Sequence, residues 1–155
     1  MRTTGFGRVR QASDDREEGS ALIEFVFLAV LMLVPIIYLI VALGRIQAGA
    51  LAVEQGVREA GRAFVTAPDE RSAPARAQAA MTLAYRDQGF DPPGPGQITV
   101  SCSATPCLSG NDRVSVHGSI TVVLPGVPGF LAKLIPVQVT LNATHVSTVD
   151  EFSAR

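Results

Sequence analysis

Charged side chains and metal-binding side chains are scarce in this chain of 155 residues. Asp, Glu, Lys and Arg make up 17% of it, below the roughly 25% usual for a soluble globular chain. The formal net charge of -1 lacks the basic excess with which proteins bind nucleic acid, so we expect no nucleic-acid partner. Together with a mean hydropathy of +0.28, this shortage of charge indicates that part of the chain lies in lipid.

Sequence signatures of catalysis are also missing. The chain contains no Gly-x4-Gly-Lys-Ser/Thr phosphate loop, no His-Glu-x-x-His pair and no Gly-x-Ser-x-Gly elbow. Its two histidines, His117 and His145, lie in strand-type patterns, where a histidine is more often structural than catalytic. We therefore expect a protein that is not an enzyme and that needs no cofactor or metal.

One apolar run stands out in the N-terminal third of the chain. From Ala21 to Leu43 the sequence has 23 residues with one charge, Glu24, and one proline, Pro35. As a helix this run would cover roughly 35 Å, slightly more than the hydrocarbon core of about 30 Å. The alternative of a helix buried in a soluble domain is unfavourable, because too few residues remain to surround it. The run therefore predicts one transmembrane helix.

A cleaved secretory signal is the other interpretation of such a run. Its apolar region is typically about 7–15 residues long, shorter than this one, although small residues do follow at Ala48-Gly49-Ala50. Four arginines precede the run, and three follow it closely at Arg45, Arg58 and Arg62. By the positive-inside rule this small excess favours a cytoplasmic N-terminus, and hence an extracytoplasmic C-terminal region.

The start of the apolar run carries an unusual pattern, a glycine followed five residues later by a glutamate and then a phenylalanine. Glu24 is an ionisable residue at the edge of a membrane span, and such residues are functional candidates that need a partner. Cleavage after Gly19 would create an amino group at Ser20, four residues from Glu24. That amine could pair with the Glu24 carboxylate of the same helix or of a neighbouring helix. The alternative is a glutamate that reaches the headgroups and is solvated there.

These residues resemble the processing site of type IV prepilins. A wider similarity covers three segments, namely GSALIEFVFLAVLMLVP (19–35), Gly44-Arg45 and AVEQGVREAGRAFV (52–65). In these segments the chain resembles the TadE-like pseudopilins of the tight-adherence (Tad/Flp) pilus system. The resemblance implies that Gly19 ends a leader removed by a prepilin peptidase and that Ser20 begins the mature chain. It also implies that Glu24, followed by Phe25, serves assembly.

The helix is predicted to continue beyond the membrane. Apolar residues fall on one helical face at intervals of three and four, namely Ile46, Ala50, Val53, Val57, Ala60 and Phe64. Glu54 and Arg58 form an i,i+4 pair of favourable polarity on the opposite side. Glycines at 49, 56 and 61 indicate a surface packed closely by a partner. That partner is either the chain's own sheet or another subunit, or both.

A second helix is predicted after Pro68. Ser72 suits the N-cap, Pro74 the first turn and Gly89 the position just after the C-terminus. The residues expected on its buried face are Ala77, Ala80, Met81, Ala84 and Tyr85. The segment Asp91–Gly96, with three prolines and two glycines, then ends all helix.

Strand-type patterns rich in Val, Thr and Ile occupy the rest of the chain. They cover Ile98 to Ser103, Arg113 to Leu124 and Val137 to Val149, with a long connection before the last strand. Since three strands have one face to bury, the amphipathic helices must cover it, and the predicted fold is α+β with a small antiparallel sheet. The predicted organisation is a cytoplasmic leader (1–19), a transmembrane helix (20–43), an extracytoplasmic helical stalk (44–90), a β region (97–150) and a tail (151–155).

Cys102 and Cys107 lie close together near the end of the first predicted strand. In a reducing compartment they would be a weak metal-site candidate with His117 and His145. Beyond a membrane span, a disulfide that closes a short loop is favoured, and it would stabilise the small sheet by roughly 2 kcal/mol.

The sequence thus predicts a pilin-like subunit, membrane-anchored and processed by a prepilin peptidase. Its expected location is the bacterial cytoplasmic membrane, crossed once. The resemblance implies other pilin subunits, the Tad inner-membrane platform and the lipid bilayer as further partners. The alternative is an uncut, signal-anchored protein whose outer domain binds a ligand.

Overall fold

The computed structural model describes residues 14–126 and 137–151, with side chains from residue 20 onward. Most of the predicted leader (1–13), part of the connection before the last strand (127–136) and the last four residues of the predicted tail (152–155) lie outside the described residues. The elements are α1 (Asp14–Val65), α2 (Ala73–Asp87), β1 (Ile98–Cys102), β2 (Arg113–Val123) and β3 (Gln138–Thr148). A long apolar helix, a second helix and a three-stranded antiparallel sheet confirm the predicted α+β fold.

The chain divides into two units, residues 1–41 and residues 42–155. The first contains the N-terminal part of α1 and most of the predicted transmembrane segment. The second contains the rest of α1, together with α2 and the sheet, and it forms around one apolar core. All residues of this core, from Ala52 to Val149, lie within the second unit.

The sheet has the order β1-β2-β3, with β2 antiparallel to both neighbours. The β2–β3 ladder is uninterrupted over eleven residue pairs, from Arg113 opposite Thr148 to Val123 opposite Gln138. Side chains alternate strictly along β2, as the two-residue period of a strand requires. The buried positions of β2 are Val114, Val116, Gly118, Ile120 and Val122.

The other face of the sheet carries mainly hydroxyl-bearing side chains and is not covered by either helix among the described residues. Its exposed members include Thr99, Thr121, Thr140 and Thr144. Across this face, His117 Nδ1 lies 3.0 Å from the Thr144 hydroxyl. The sheet therefore has one buried apolar face and one exposed polar face, as is common for antiparallel sheets.

The C-terminal part of α1 packs directly on the buried face of the sheet. A Cβ added at Gly49 would meet the side chains of Val122 and Leu141, and one added at Gly61 would lie 2.5 Å from Ser147 Oγ. Twelve helical residues separate the two glycines, a rise of about 18 Å. Leu141 and Ser147 are six strand residues apart, about 20 Å. The earlier glycine lies beside the earlier residue of β3 and the later glycine beside the later one, and the two separations match. Helix α1 therefore runs in the same direction as β3.

Glycines in α1 therefore allow close packing within the chain itself. Gly56 faces α2, where an added Cβ would lie 3.0 Å from Met81 Cγ and 3.2 Å from Tyr85 Cε1. Gly49 and Gly61 face the sheet. Of the two alternatives left open by the sequence, the chain's own sheet and second helix account for all three glycines. The predicted pair of Glu54 and Arg58 is confirmed as an exposed ion pair, with Arg58 Nη2 and Glu54 Oε2 3.5 Å apart.

Helix α2 covers the rest of the sheet with a face close to the predicted one. Its buried residues are Ala73, Ala77, Met81, Ala84 and Tyr85, while Ala80 is half-buried. Tyr85 is fully buried, and its hydroxyl donates to the Ser119 carbonyl oxygen at 2.9 Å. Burial raises the pKa of Tyr85 to about 12.

The residues predicted at the two ends of α2 are found at those positions. Gly89 follows the C-cap residue in the left-handed region, with φ of +73°. Ser72 is the N-cap residue, as predicted, and its side chain makes no capping hydrogen bond. Ser72 itself has helical dihedral angles, and its hydroxyl donates to the Asp69 carbonyl oxygen instead. The Asp69 carboxylate accepts from the Ser72 N–H at 2.8 Å.

The loop between β1 and β2 is organised around Asp112, a buried carboxylate. Asp112 accepts hydrogen bonds from both the backbone N–H and the hydroxyl of Ser103. The Ser103 hydroxyl holds the pKa of Asp112 below its ordinary value; burial opposes this shift, and backbone N–H groups reinforce it. From another part of the domain, the Glu70 carboxylate accepts from the backbone N–H of Cys107.

We expect Gly118→Ala to destabilise the second unit by about 1–3 kcal/mol, the usual cost of overpacking a core. A Cβ at this position would meet Met81 Cε and would lie 2.7 Å from Val57 Cγ1. The matched control is Gly44→Ala, where an added Cβ would meet nothing within 4 Å. Thermal unfolding of the full chain in detergent micelles measures the difference. A Gly118→Ala midpoint equal to that of the control would contradict the described packing.

We also expect the domain to lose stability in acid through Asp112. Because its pKa is lowered in the folded state, its contribution is present above the ordinary pKa of 3.8 and is lost as the pH falls through the folded value. Asp112→Asn should therefore lower the unfolding midpoint at neutral pH and reduce the further loss on acidification. Asp87→Asn, at an exposed position, is the control. The same acid loss in Asp112→Asn and wild type would show that Asp112 is not the group responsible.

Candidate functional site

The N-terminal part of α1 exposes a continuous apolar surface. Within this helix, Ser20–Val65 includes an 18-residue window with a mean hydropathy of 3.0, of which only 6% is buried. Large side chains are about half exposed or more throughout the segment, as at Leu22, Phe27, Leu33 and Ile40. The core helix of a soluble domain would be mostly buried, whereas this segment is not. By length and composition it can cross a membrane.

Gly19 and Ser20, the predicted processing junction, both lie within α1. The helix begins at Asp14, so helical backbone extends through the peptide bond that would be cleaved. Ser20 is exposed. Cleavage at this bond would make Ser20 the first residue of the remaining helix, where the free backbone N–H groups and the helix dipole favour a nearby negative charge.

Glu24 lies on α1 one turn after Ser20, and its side chain is exposed. Its helical neighbours at positions i−3, i+3 and i+4 are Ala21, Phe27 and Leu28, none of which can hydrogen-bond to a carboxylate through its side chain. No ion pair forms at Glu24 within residues 20–126 and 137–151. Glu24 is thus an exposed carboxylate in an apolar setting, with no counter-charge beside it among the described side chains.

Phe25 is the most exposed large hydrophobic side chain of the segment, with 72% of its surface accessible. It follows Glu24 directly, so it projects about 100° away around the helix axis. The structure therefore places Ser20 and Glu24 along one side of the helix and Phe25 on an adjacent side. An apolar partner surface could contact Phe25 while Glu24 meets a positive charge.

Cys102 and Cys107 form a disulfide, with an S–S distance of 2.08 Å. The bridge ties the last residue of β1 to the loop that Glu70 and Asp112 hold in place. The hydrogen bond from the Cys107 N–H to the Glu70 carboxylate connects this loop to the segment that precedes α2. In the described part of the chain, no group of three or more His, Cys, Asp or Glu residues could hold a metal ion.

Sequence reasoning missed one feature of the domain, a contact between Arg45 and the segment after α2. Arg45 Nη2 donates to the Gly89 carbonyl oxygen at 3.1 Å, and its guanidinium carbon lies 4.1 Å from the centre of the Phe90 ring. A cavity of about 410 Å³ opens beside this contact and includes Asp91 and Thr121 in its lining. The only sequence signal was the position of Arg45 shortly after the apolar run.

The arrangement offers charge pairing and apolar contact. Its elements are an exposed apolar helix, one carboxylate near the start of that helix, and a disulfide-closed domain beyond it. No family model, no curated protein and no solved structure matches this chain.

Proposed function

We propose that the chain is a pilin-like subunit that is anchored in the cytoplasmic membrane and takes part in Tad/Flp-type pilus assembly, as a minor pilin or pseudopilin. The observation that carries the proposal is the exposed apolar segment of α1 with Gly19, Ser20 and Glu24 at its start. The resemblance to TadE-like pseudopilins, based on the same residues, supplies the identity of the pilus system.

Anchoring follows from the free energy of the apolar side chains. Monomeric soluble proteins rarely expose contiguous apolar patches larger than a few hundred Å², whereas α1 exposes large hydrophobic side chains from Leu22 to Leu43. A bilayer removes this surface from water, and the helical backbone satisfies its own hydrogen bonds within the lipid. The arginine distribution favours an N-terminus in the cytoplasm. The disulfide agrees with an extracytoplasmic domain, since such bonds persist in oxidising compartments.

Processing by a prepilin peptidase turns the anchored chain into an assembly-competent subunit. Cleavage after Gly19 removes the leader and leaves a positive amino group at Ser20. Glu24 then supplies the negative charge that a neighbouring subunit's new terminus requires. Because an unpaired charge within lipid is costly, roughly 2.5–3.5 kcal/mol at the bilayer centre and less near its edge, pairing favours association in one register.

The folded domain keeps its own core and presents outward surfaces to other components. Its glycine-lined helix face is already used by the chain's own sheet and α2, so assembly contacts use other surfaces of the domain. The partners in this proposal are the prepilin peptidase, other pilin or pseudopilin subunits, the Tad inner-membrane platform and the lipid bilayer.

Gly19→Leu is expected to block leader removal, because a bulky side chain replaces the residue at the scissile bond. The precursor should accumulate in the membrane fraction at full mass, as measured by mass spectrometry of the purified protein. Gly44→Leu is the matched control, a glycine of the same helix with open space around it, and it should be processed like wild type. Normal processing of Gly19→Leu would show that the assigned junction is wrong.

Glu24→Ala is expected to leave membrane insertion intact while lowering pilus assembly by about tenfold or more, because the new terminus of a neighbour loses its counter-charge. Glu24→Gln, which keeps the shape of the side chain but not its charge, should show the same defect. Glu59→Ala, on the exposed and water-facing part of α1, is the control. Piliation can be counted by electron microscopy, and wild-type piliation in Glu24→Ala would leave Glu24 as a headgroup-solvated side chain.

A further inference from the structure

Strand β3 forms one edge of the sheet and has no strand partner on its outer side among the described residues. It is eleven residues long, regular over its whole length, and its sequence QVTLNATHVST contains no Asp, Glu, Lys, Arg or Pro. Natural edge strands are usually protected against pairing by charges, prolines, bulges or shortness. Strand β3 has none of these protections, so its edge is suited to receive another strand.

The register shows which backbone groups point to this free edge. Leu124 N–H donates to the Val137 carbonyl oxygen at 2.9 Å, and Val149 N–H donates to the Asp112 carbonyl oxygen at 2.9 Å. Both pairs continue the β2–β3 register, and hydrogen-bonded pairs alternate along an antiparallel ladder. Odd-numbered residues of β3 therefore bond to β2. Even-numbered residues, such as Thr140, Asn142 and Thr144, direct their N–H and C=O groups outward.

The opposite edge of the same sheet is β1, which is also uncharged, with the sequence ITVSC. Ser119 N–H donates to the Gln97 carbonyl oxygen at 2.9 Å, and Ser103 N–H donates to the Arg113 carbonyl oxygen at 3.0 Å. By the same alternation, Ile98, Val100 and Cys102 direct their backbone groups to the free edge of β1. The sheet thus ends in two pairing surfaces, one long and one short.

We propose that the outer edge of β3 binds the β1 edge of a second copy of this chain in parallel orientation, which continues the sheet from copy to copy. The proposal rests on the proposed function, because a pilus grows by adding copies to a free edge. In an antiparallel pair, the outward residues of β3 would lie opposite Ile98, Val100 and Cys102 of the second copy. Those side chains pack against the core, whereas the outward residues of β3 belong to the exposed polar face, so only a parallel pair keeps the helices of both copies on one face. Strand β1 is parallel to β3, because both are antiparallel to β2.

The faces of the two edges also match in this arrangement. In a parallel pair of strands, a residue whose backbone groups bond to the adjacent strand lies opposite a residue of that strand whose backbone groups point away. Even-numbered residues of β3 would therefore lie opposite Thr99 and Ser101 of the second copy, and all of these side chains belong to the exposed polar face. The helices of both copies then cover the same face of one sheet. An antiparallel pair of β3 strands would instead reverse α1 in the second copy.

This contact is heterologous, because it joins the β3 edge of one copy to the β1 edge of the next. A pair of copies therefore still has one free β3 edge and one free β1 edge, so further copies can be added. Each copy adds three strands, a lateral repeat of roughly 14 Å. The proposed contact uses the strand edges and leaves α1 available for pairing through Glu24.

Cysteine cross-linking in membranes tests the contact and its direction. One tagged copy carries Thr99→Cys, and a second, differently tagged copy carries a cysteine at Thr140, Asn142 or Thr144. The chain's own cysteines are joined in a disulfide, so a short bismaleimide reacts with the introduced thiols. We expect heterodimers whose yield peaks at one β3 position. With Ser101→Cys in place of Thr99→Cys, the peak should move two residues toward the C-terminus of β3.

A peak that moves toward the N-terminus, a cross-link only between two β3 cysteines, or no cross-link at any of these positions would overturn the proposal.

Asn142→Pro provides a second measurement, since it removes one outward N–H and leaves the β2–β3 bonds in place. Introduced into whichever of the Thr140→Cys and Thr144→Cys copies gives the higher cross-link yield, it should lower that yield about fivefold. Asn142→Ala, which keeps the N–H, should not lower it. Asn142→Lys, which places a charge on the edge, should lower it as Asn142→Pro does.

The outcomes separate this contact from the proposed function. A chain that is cleaved after Gly19 and supports piliation, but gives none of the expected cross-links, would refute the strand contact alone. A chain that gives the cross-links in the expected direction but is not processed would support the contact and refute the prepilin assignment.

Discussion

The packing of the C-terminal part of α1 against β2 and β3 is the contact on which the rest of the structure depends. A three-stranded sheet cannot bury its apolar face alone, and α1 approaches it closely only because Gly49 and Gly61 lack side chains. Helix α2 then fills the remaining surface through Met81 and Tyr85. One helix therefore supplies both the apolar N-terminal segment, which is long enough to span a membrane, and part of the core of the folded domain.

Much of this fold was predictable because its determinants are local. The apolar stripe of α1, the Pro-Gly segment after Phe90 and the alternation in the strands each appear within a short window of sequence. The observed strands agree with the predicted ones to within one residue at each end. Ser72 is the predicted N-cap residue, although its hydroxyl donates to the Asp69 carbonyl oxygen and not to the first turn of α2. The contacts of Glu70 with Cys107 and of Arg45 with Phe90 were not predictable, since they join residues about 40 positions apart.

The residues of the core find their contacts within the chain, whereas the residues of the candidate site are exposed. Sequence alone identified Gly19, Ser20, Glu24 and Phe25, and the structure places the last three exposed on one helix. In the proposed function their partners are other molecules, namely lipid, a peptidase and neighbouring subunits, so packing within one chain cannot define their roles. The same holds for the proposed contact of β3, whose uncharged outer edge has no strand partner among the described residues. Both features favour the proposed assembly role.

The most direct test of the central claim is the N-terminal sequence and mass of the protein purified from the membrane fraction of its own cells. We expect a membrane-bound chain that begins at Ser20, with a free amino group one helical turn from Glu24. A membrane-bound chain that still begins at Met1 would instead be an uncut signal anchor. A chain that begins between residues 48 and 52, or one that is recovered entirely free of lipid, would contradict both the anchor and the assembly role.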